Sequence, residues 1–367
     1  MIDPKQFYDY LVSKKLNFFV GVPDSLLKNL CACIKENSDS KHNIIAANEG
    51  NAVAIASGYH MSSDEFAVVY MQNSGLGNTV NPLLSLADEE VYNIPMLLII
   101  GWRGEPLKKD EPQHVKQGKL TLPLLEVMGI EYLILDDNYQ EQIDKCYKYM
   151  RETNKPIALV VKKDIFKDYD IKKDKNNYTL TREESLDTII KKLNDDDFIV
   201  STTGKTSREI FEIREKNNQG HSNDFLTVGS MGHTASIAFG LCLNTDKSVY
   251  CIDGDGSFIM HMGGFAVIGQ NPCDNFKYIL INNGAHESVG GQPTVAFKIK
   301  IPNILKAVGF NTIYEAETVE EINDAIDKMK GMDALIIYTK QGSRKDLGRP
   351  TTTPIENKQA LMKKIIK

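Results

Sequence analysis

Asp255 stands between two glycines, in Gly254-Asp255-Gly256-Ser257, directly after the apolar run 248–252. Such glycines let the backbone turn tightly at a strand end and leave amide N–H groups and a helix start open to an anion. After a spacer of 25 residues (257–281), the end of a second apolar run, 277–281, is followed by Asn282-Asn283-Gly284. Two strand ends thus deliver one carboxylate and one or two side-chain amides, all hard oxygen donors. That set suits Mg²⁺, which takes few protein ligands and fills its octahedron with phosphate oxygens and water. A second acid, Glu49, opens the small-residue segment Asn48-Glu49-Gly50-Asn51-Ala52-Val53-Ala54 after the run 44–47. Read alone, it is equally a first-turn acid favouring the helix dipole.

Other turns carry chemistry of the same kind. Thr202-Thr203-Gly204-Lys205-Thr206-Ser207 suggests a phosphate-binding P-loop, but that motif needs glycine at position 199, where Ile stands, so the reading is rejected. Gly229-Ser230-Met231-Gly232 frames one methionine with glycines, although a lone methionine is more often core filling. In the first half, Gly21-Val22-Pro23-Asp24-Ser25-Leu26 follows the first apolar run, and Asp24 or Ser25 fits a helix N-cap equally well. Gln72-Asn73-Ser74-Gly75-Leu76-Gly77-Asn78 is polar and glycine-rich where another buried run ends. The stretch 101–118 reads as one long loop holding the only Trp, Trp102, with Arg103, Asp110, His114 and Lys116. Loops of that length are usually functional or disordered. His114 by itself fits a surface histidine.

These turns need strands to hold them. Apolar runs of strand length lie at 18–22, 44–47, 66–71, 96–100, 132–135 and 157–161, then at 198–201, 248–252, 278–281 and 334–338. Apolar on both faces and separated by helical spacing, they predict an α/β fold of two doubly wound parallel sheets, with ligands at the carboxyl ends of the strands. A polar, Lys- and Asp-rich stretch predicts a linker over 166–184, with domains over 1–165 and 185–367. The 367 residues are 42% apolar and 25% charged, enough for packed cores and against disorder. Lys and Arg number 43 against 49 Asp and Glu, so the net charge is 43 − 49 = −6, which gives nucleic-acid binding no electrostatic support. No apolar stretch approaches bilayer length and the start lacks a signal-peptide pattern, so the expectation is a cytoplasmic protein with no membrane partner. The six cysteines include no CxxC pair and read as reduced and structural.

The Gly254-Asp255-Gly256-Ser257 turn, its spacer and Asn282-Asn283 together resemble the signature of thiamine-diphosphate-dependent enzymes. The resemblance implies a pyrimidine-binding first domain and a diphosphate-binding second one, with Mg²⁺ held by Asp255, Asn283 and the main-chain carbonyl of Ala285. It makes Glu49 the acid that hydrogen-bonds the aminopyrimidine and activates the cofactor. Gly204, Lys205 and Thr206 then help cradle the diphosphate with Gly254, Gly256 and Ser257. Gly229 faces the pyrimidine, and Met231 wedges the cofactor into its bent form.

Further segments narrow the resemblance to the phosphonopyruvate decarboxylases. They are Gly21-Val-Pro-Asp-Ser-Leu26, Met71-Gln-Asn-Ser-Gly-Leu-Gly-Asn78, Asp110-Glu-Pro-Gln-His-Val-Lys116, Asn282-Asn-Gly-Ala-His-Glu-Ser-Val-Gly-Gly-Gln-Pro-Thr294 and Asp346-Leu-Gly-Arg-Pro350. This implies non-oxidative decarboxylation of 3-phosphonopyruvate to phosphonoacetaldehyde and CO₂ in phosphonate biosynthesis. The alternative is sulfopyruvate or another 2-oxo acid, or a carboligase. Sulfopyruvate decarboxylases are often split between two chains, so one fused chain favours the phosphonate. Asp24, His114 and His286 are the candidate proton handlers. Ser25, Arg103 and Lys116 are the candidate substrate contacts, with Lys205, Arg344 and Arg349 also eligible to meet a phosphonate. The family's assembly implies a homodimer or higher homo-oligomer whose sites are shared between chains.

Overall fold

The computed structural model describes residues 1–170, 172 and 176–366. The chain divides into two compact units, Met1–Lys173 with Val289–Gln292, and Asp174–Ser288 with Pro293–Lys367. The first is built on six parallel strands: β1 (Phe18–Gly21), β2 (Asn43–Ile45), β3 (Ala67–Gln72), β4 (Met96–Gly101), β5 (Glu131–Ile134) and β6 (Ile157–Val161). Their order is β2-β1-β3-β4-β6-β5. Every residue of β4 and β6 is buried, which requires helices on both faces and explains the unbroken apolar runs. Successive side chains alternate between two cores, Leu97 and Ile99 in one, Leu98 and Ile100 in the other. Truncating one of these, as in Leu98→Ala, costs about 2–5 kcal/mol.

The second unit repeats the plan with β7 (Phe198–Ser201), β8 (Asp224–Leu226), β9 (Val249–Gly254) and β10 (Phe276–Asn282). The two-residue strands β11 (Ala285–His286) and β12 (Gln292–Pro293) come next, then β13 (Ile313–Ala316) and β14 (Ala334–Tyr338). Its six-stranded sheet runs β13-β14-β10-β9-β7-β8. Tyr278 and Leu280 enter one core, Ile279 and Ile281 the other.

The two strands that apolar runs do not reveal, β8 and β13, lie at the two edges of this sheet. Edge strands are short and partly wet, and Tyr314 and Glu315 of β13 are not buried. The expected long loop 101–118 is shorter than its sequence suggests, because a helix, Pro112–Val127, begins with Pro112 in its first turn. Gly118 and Pro123 read as breakers yet lie inside it, and Trp102 Nε1 donates to the Gly118 carbonyl at 2.8 Å. Phe166 and Arg182, at the ends of the expected linker, are structured. Phe166 is in the first core and bridges to Ile2, and Arg182 starts the helix Arg182–Lys192. Among the described residues no helix is long and apolar enough to cross a membrane.

Candidate active site

In the second unit β9 and β10 pair in parallel with Gly254 opposite Ile281, so Asp255 and Asn283 emerge side by side at the carboxyl edge. Asp255 begins the helix Asp255–Met260 and is buried. Thr294 Oγ1 donates to its Oδ2 at 2.5 Å. Burial pushes the Asp255 carboxyl up to about 7, against the hydrogen bonds from Thr294 and nearby main-chain N–H groups. Asn283 is buried too; its Oδ1 accepts from the Ala285 N–H at 3.0 Å and its Nδ2 donates to Glu287 Oε2 at 3.1 Å. Glu287 also accepts from Arg182 Nη1 at 2.7 Å and from Lys205 Nζ at 3.3 Å. Arg182 in turn forks onto Glu209 at 2.6 and 2.8 Å. Burial opposes ionisation of Glu287, but Arg182 and Lys205 hold its pKa below the ordinary value.

Lys205 and Thr206 form the first turn of the helix Lys205–Lys216, capped by Gly204 without a side-chain oxygen. The turn at 229–232 is tied to the Asp255 turn, since the Gly232 N–H donates to Ser257 Oγ at 3.0 Å. Gly256 has to lack a side chain: a Cβ there would stand 2.7 Å from His286 Nδ1 and 3.2 Å from Met231 Cε. Burial pushes His286 down to about 4, so the ring is neutral at pH 7.

In the first unit Glu49 opens the helix Glu49–Ser63 behind the cap Asn48, whose side chain accepts from the Asn51 N–H. Only 5% of Glu49 is exposed, and Asn78 Nδ2 donates to its Oε2 at 2.7 Å. A Cβ at Gly75 would lie 2.4 Å from Glu49 Oε1, so that oxygen keeps its room only beside glycine. Asp24 is fully buried after β1, where Gln72 Nε2 donates at 2.6 Å and the Leu26 N–H at 3.0 Å. Burial raises its pKa, and Gln72, Leu26 and Arg103 oppose the rise. Arg103 follows β4 and forks onto Asp110, Nε at 2.8 Å and Nη2 at 2.5 Å, while its Nη1 donates to Ser25 Oγ at 2.8 Å. Burial works against the Asp110 charge, but this fork and two main-chain N–H groups hold its carboxyl far below the usual range. His114 is buried with Nδ1 unpartnered among the described residues, and burial and then Arg103 lower its pKa.

The structure therefore gathers Gly254, Asp255, Gly256, Ser257, Met231, Asn283, Ala285 and His286 at one strand edge, with Lys205 joined through Glu287. It gathers Asp24, Ser25 and Arg103 at another. Lys116 is exposed and lies off the cavity that Ser25 and Arg103 line. Arg344 is engaged by Glu183 at 3.0 Å and by Glu212 and Asp346. Sequence reasoning missed Thr294, Glu209, Arg182 and Glu287 as partners. Arg182 was hidden in the stretch that composition reads as linker, whereas Glu287 and Thr294 lie inside the Asn282 to Thr294 segment and were within reach.

As donor sets, the buried Asp255 carboxylate and the Asn283 oxygen fit a hard divalent cation. Glycine at 75 and at 256 lets the Glu49 carboxylate, and His286 with Met231, approach the backbone more closely than any side chain there would allow. Residues 4–122 match the N-terminal TPP binding domain of the thiamine pyrophosphate enzymes, and residues 202–337 match their C-terminal TPP binding domain. A phosphonopyruvate decarboxylase of Streptomyces viridochromogenes is 29% identical over 92% of this chain and 88% of its own length. A sulfopyruvate decarboxylase of Methanosarcina acetivorans is 26% identical over 86% and 84%. The alpha subunit of a sulfopyruvate decarboxylase from Methanocaldococcus jannaschii is 33% identical over 45% of this chain and 96% of itself. The Methanosarcina relative is matched across both halves, so a fused chain does not by itself favour the phosphonate.

Proposed function

Since this chain belongs to the thiamine pyrophosphate enzyme family and is a 2-oxo acid decarboxylase of it, we propose that its substrate is 3-phosphonopyruvate, released as phosphonoacetaldehyde and CO₂. The observation that carries this reading is the similarity to a phosphonopyruvate decarboxylase over 92% of the chain. Bound thiamine diphosphate supplies the electron sink for the carbon that loses CO₂.

Asp255, the Asn283 side chain and the Ala285 carbonyl would hold Mg²⁺, and the first-turn N–H groups at Lys205 and Thr206 would bind the diphosphate. Glu287 accepts from the Asn283 amide N–H and so leaves the amide oxygen as the atom that would serve the cation. Gly256 leaves Met231 and His286 their places at the turn, where they would line the cofactor's site. Glu49, with its Oε2 fixed by Asn78, would offer Oε1 to the pyrimidine ring as its proton-exchanging group. Asp24, whose pKa burial raises, would hold the proton the product needs, and the imidazoles of His114 and His286, held toward the neutral form, would accept a proton and pass it on. Each complete site takes its first unit from one chain and its second from another, in a homo-oligomer.

The test is a product assay with thiamine diphosphate, Mg²⁺ and phosphonopyruvate, sulfopyruvate or pyruvate. Phosphonoacetaldehyde and CO₂ should form in equal amounts and fastest from phosphonopyruvate. Faster turnover of sulfopyruvate, or a coupled two-substrate product, would replace this reading with a rival one.

A further inference from the structure

The first unit carries a cavity of about 540 Å³ on whose wall Ser25, Asn29 and Arg103 meet. It opens at the start of the helix Lys28–Asn37, whose cap, Leu27, brings no side-chain oxygen to the first-turn N–H groups. Of the main-chain N–H groups here Asp24 takes those of Leu26 and Leu27, two and one residues before the helix. Uncapped helix starts attract anions through their N–H groups and dipole.

A second observation points the same way. Asn29 is 7% exposed, lies on the cavity wall, and its side-chain amide has no hydrogen-bond partner among the described residues. The residue is buried, yet its amide atoms keep accessible surface at the cavity wall, where a ligand or water can take their hydrogen bonds. The charges on the wall are unequal. Arg103 is matched by Asp110 and Lys108 by Glu105 at 2.7 Å. Lys28, Lys109, Lys163 and Lys167 have ammonium groups without partners among the described residues, against two such carboxylates, Asp164 and Asp168. The surplus is 4 − 2 = +2.

The geometry points to this cavity as the subsite for a tetrahedral oxyanion, the phosphonate head of the substrate. The oxyanion is bound by the helix start at Lys28, the Asn29 amide and the Lys28 ammonium, next to Ser25. This rests on the proposed substrate and assigns its head group to a place. It also moves selectivity away from Arg103, whose charge Asp110 already answers, and from Lys116.

The experiment uses the full-length chain. Methylphosphonate and inorganic phosphate are titrated calorimetrically without cofactor, and KM for phosphonopyruvate is measured with it, for wild type, Lys28→Gln and Asn29→Asp. Lys28 is exposed, so its variant tests the site without disturbing the core, and circular dichroism checks both folds. Methylphosphonate should bind the wild type, and each variant should weaken it and raise KM by roughly 10- to 100-fold, as expected for loss of a charge-assisted hydrogen bond. A wild-type enzyme active on phosphonopyruvate whose Lys28→Gln variant keeps both values overturns the subsite. Phosphate binding without methylphosphonate binding overturns it in favour of a free-phosphate site. Lys28-dependent methylphosphonate binding in a chain inactive on phosphonopyruvate overturns the substrate reading and leaves the oxyanion site standing.

Discussion

Glu49 and Asp255 occupy the same place in their respective units: each is buried, follows a parallel strand, and is the first residue of a helix. Their surroundings differ. Glu49 has one oxygen held by the Asn78 amide and the other packed where a Cβ at position 75 would collide with it. Asp255 is met by the Thr294 hydroxyl and main-chain N–H groups, yet burial still lifts its pKa to about 7. On the proposed reading, Glu49 is the acid that meets the cofactor's pyrimidine. On the same reading, Asp255 is the acid whose buried charge a bound cation would stabilise. One local plan, strand then acid then helix, thus sets two acids in different surroundings, and the proposed roles divide along that difference.

The largest effect expected from breaking this contrast is at Asp255. Asp255→Ala should weaken binding of thiamine diphosphate with Mg²⁺ by more than about 100-fold, since even removing a group behind a metal ligand costs 10- to 100-fold. Calorimetry giving wild-type affinity would remove Asp255 from the cation. Glu49→Gln should instead bind cofactor nearly normally while turnover and hydrogen–deuterium exchange on the cofactor slow by about 10² to 10⁴. Weak binding with normal exchange would make the two acids alike and end the distinction.

A sharper comparison comes from Glu287, which touches Asn283, Lys205 and Arg182 but no proposed cofactor atom. Glu287→Gln should lower Mn²⁺ affinity, read by electron paramagnetic resonance, by roughly 10- to 100-fold with little change in the bound spectrum's geometry. Equal affinity would reduce this network to packing.

The smallest effect concerns His114. Burial and Arg103 depress its pKa below the ordinary value near 6.5, so as pH falls through that value the unfolded chain takes a proton that the folded chain refuses. Stability should therefore fall from about pH 6.5 downward until folded His114 also protonates. His114→Asn should flatten that part of the urea-midpoint profile by some fraction of the about 1.4 kcal/mol per pH unit that one proton contributes. An identical slope in both proteins would show that His114 is not the group responsible.

The strands that hold these acids were legible because burial on both faces writes itself as continuous apolar runs, as in β4 and β6. The acids were legible because glycine and strand ends frame them. The edge strands β8 and β13 were not, since a half-wet edge carries no such run. Nor was the helix Pro112–Val127, where Gly118 and Pro123 contradict its propensity and tertiary contacts such as Trp102 to Gly118 prevail. Arg103 shows a different limit. Residue type marked it as an available cation, but only coordinates reveal that Asp110 neutralises it.

The central claim is that the two acids act as complementary halves of one site. Glu49→Ala chains keep an intact second unit and Asp255→Ala chains an intact first unit. If sites are shared between chains, a heterodimer of the two rebuilds one intact site and one doubly broken one. With random equal mixing half the dimers are mixed, so the most direct measurement is decarboxylase activity of the mixture, with subunit exchange verified by co-purification of differently tagged chains. The account predicts recovery to about a quarter of wild-type activity from two inactive parents. No recovery at any mixing ratio would contradict it.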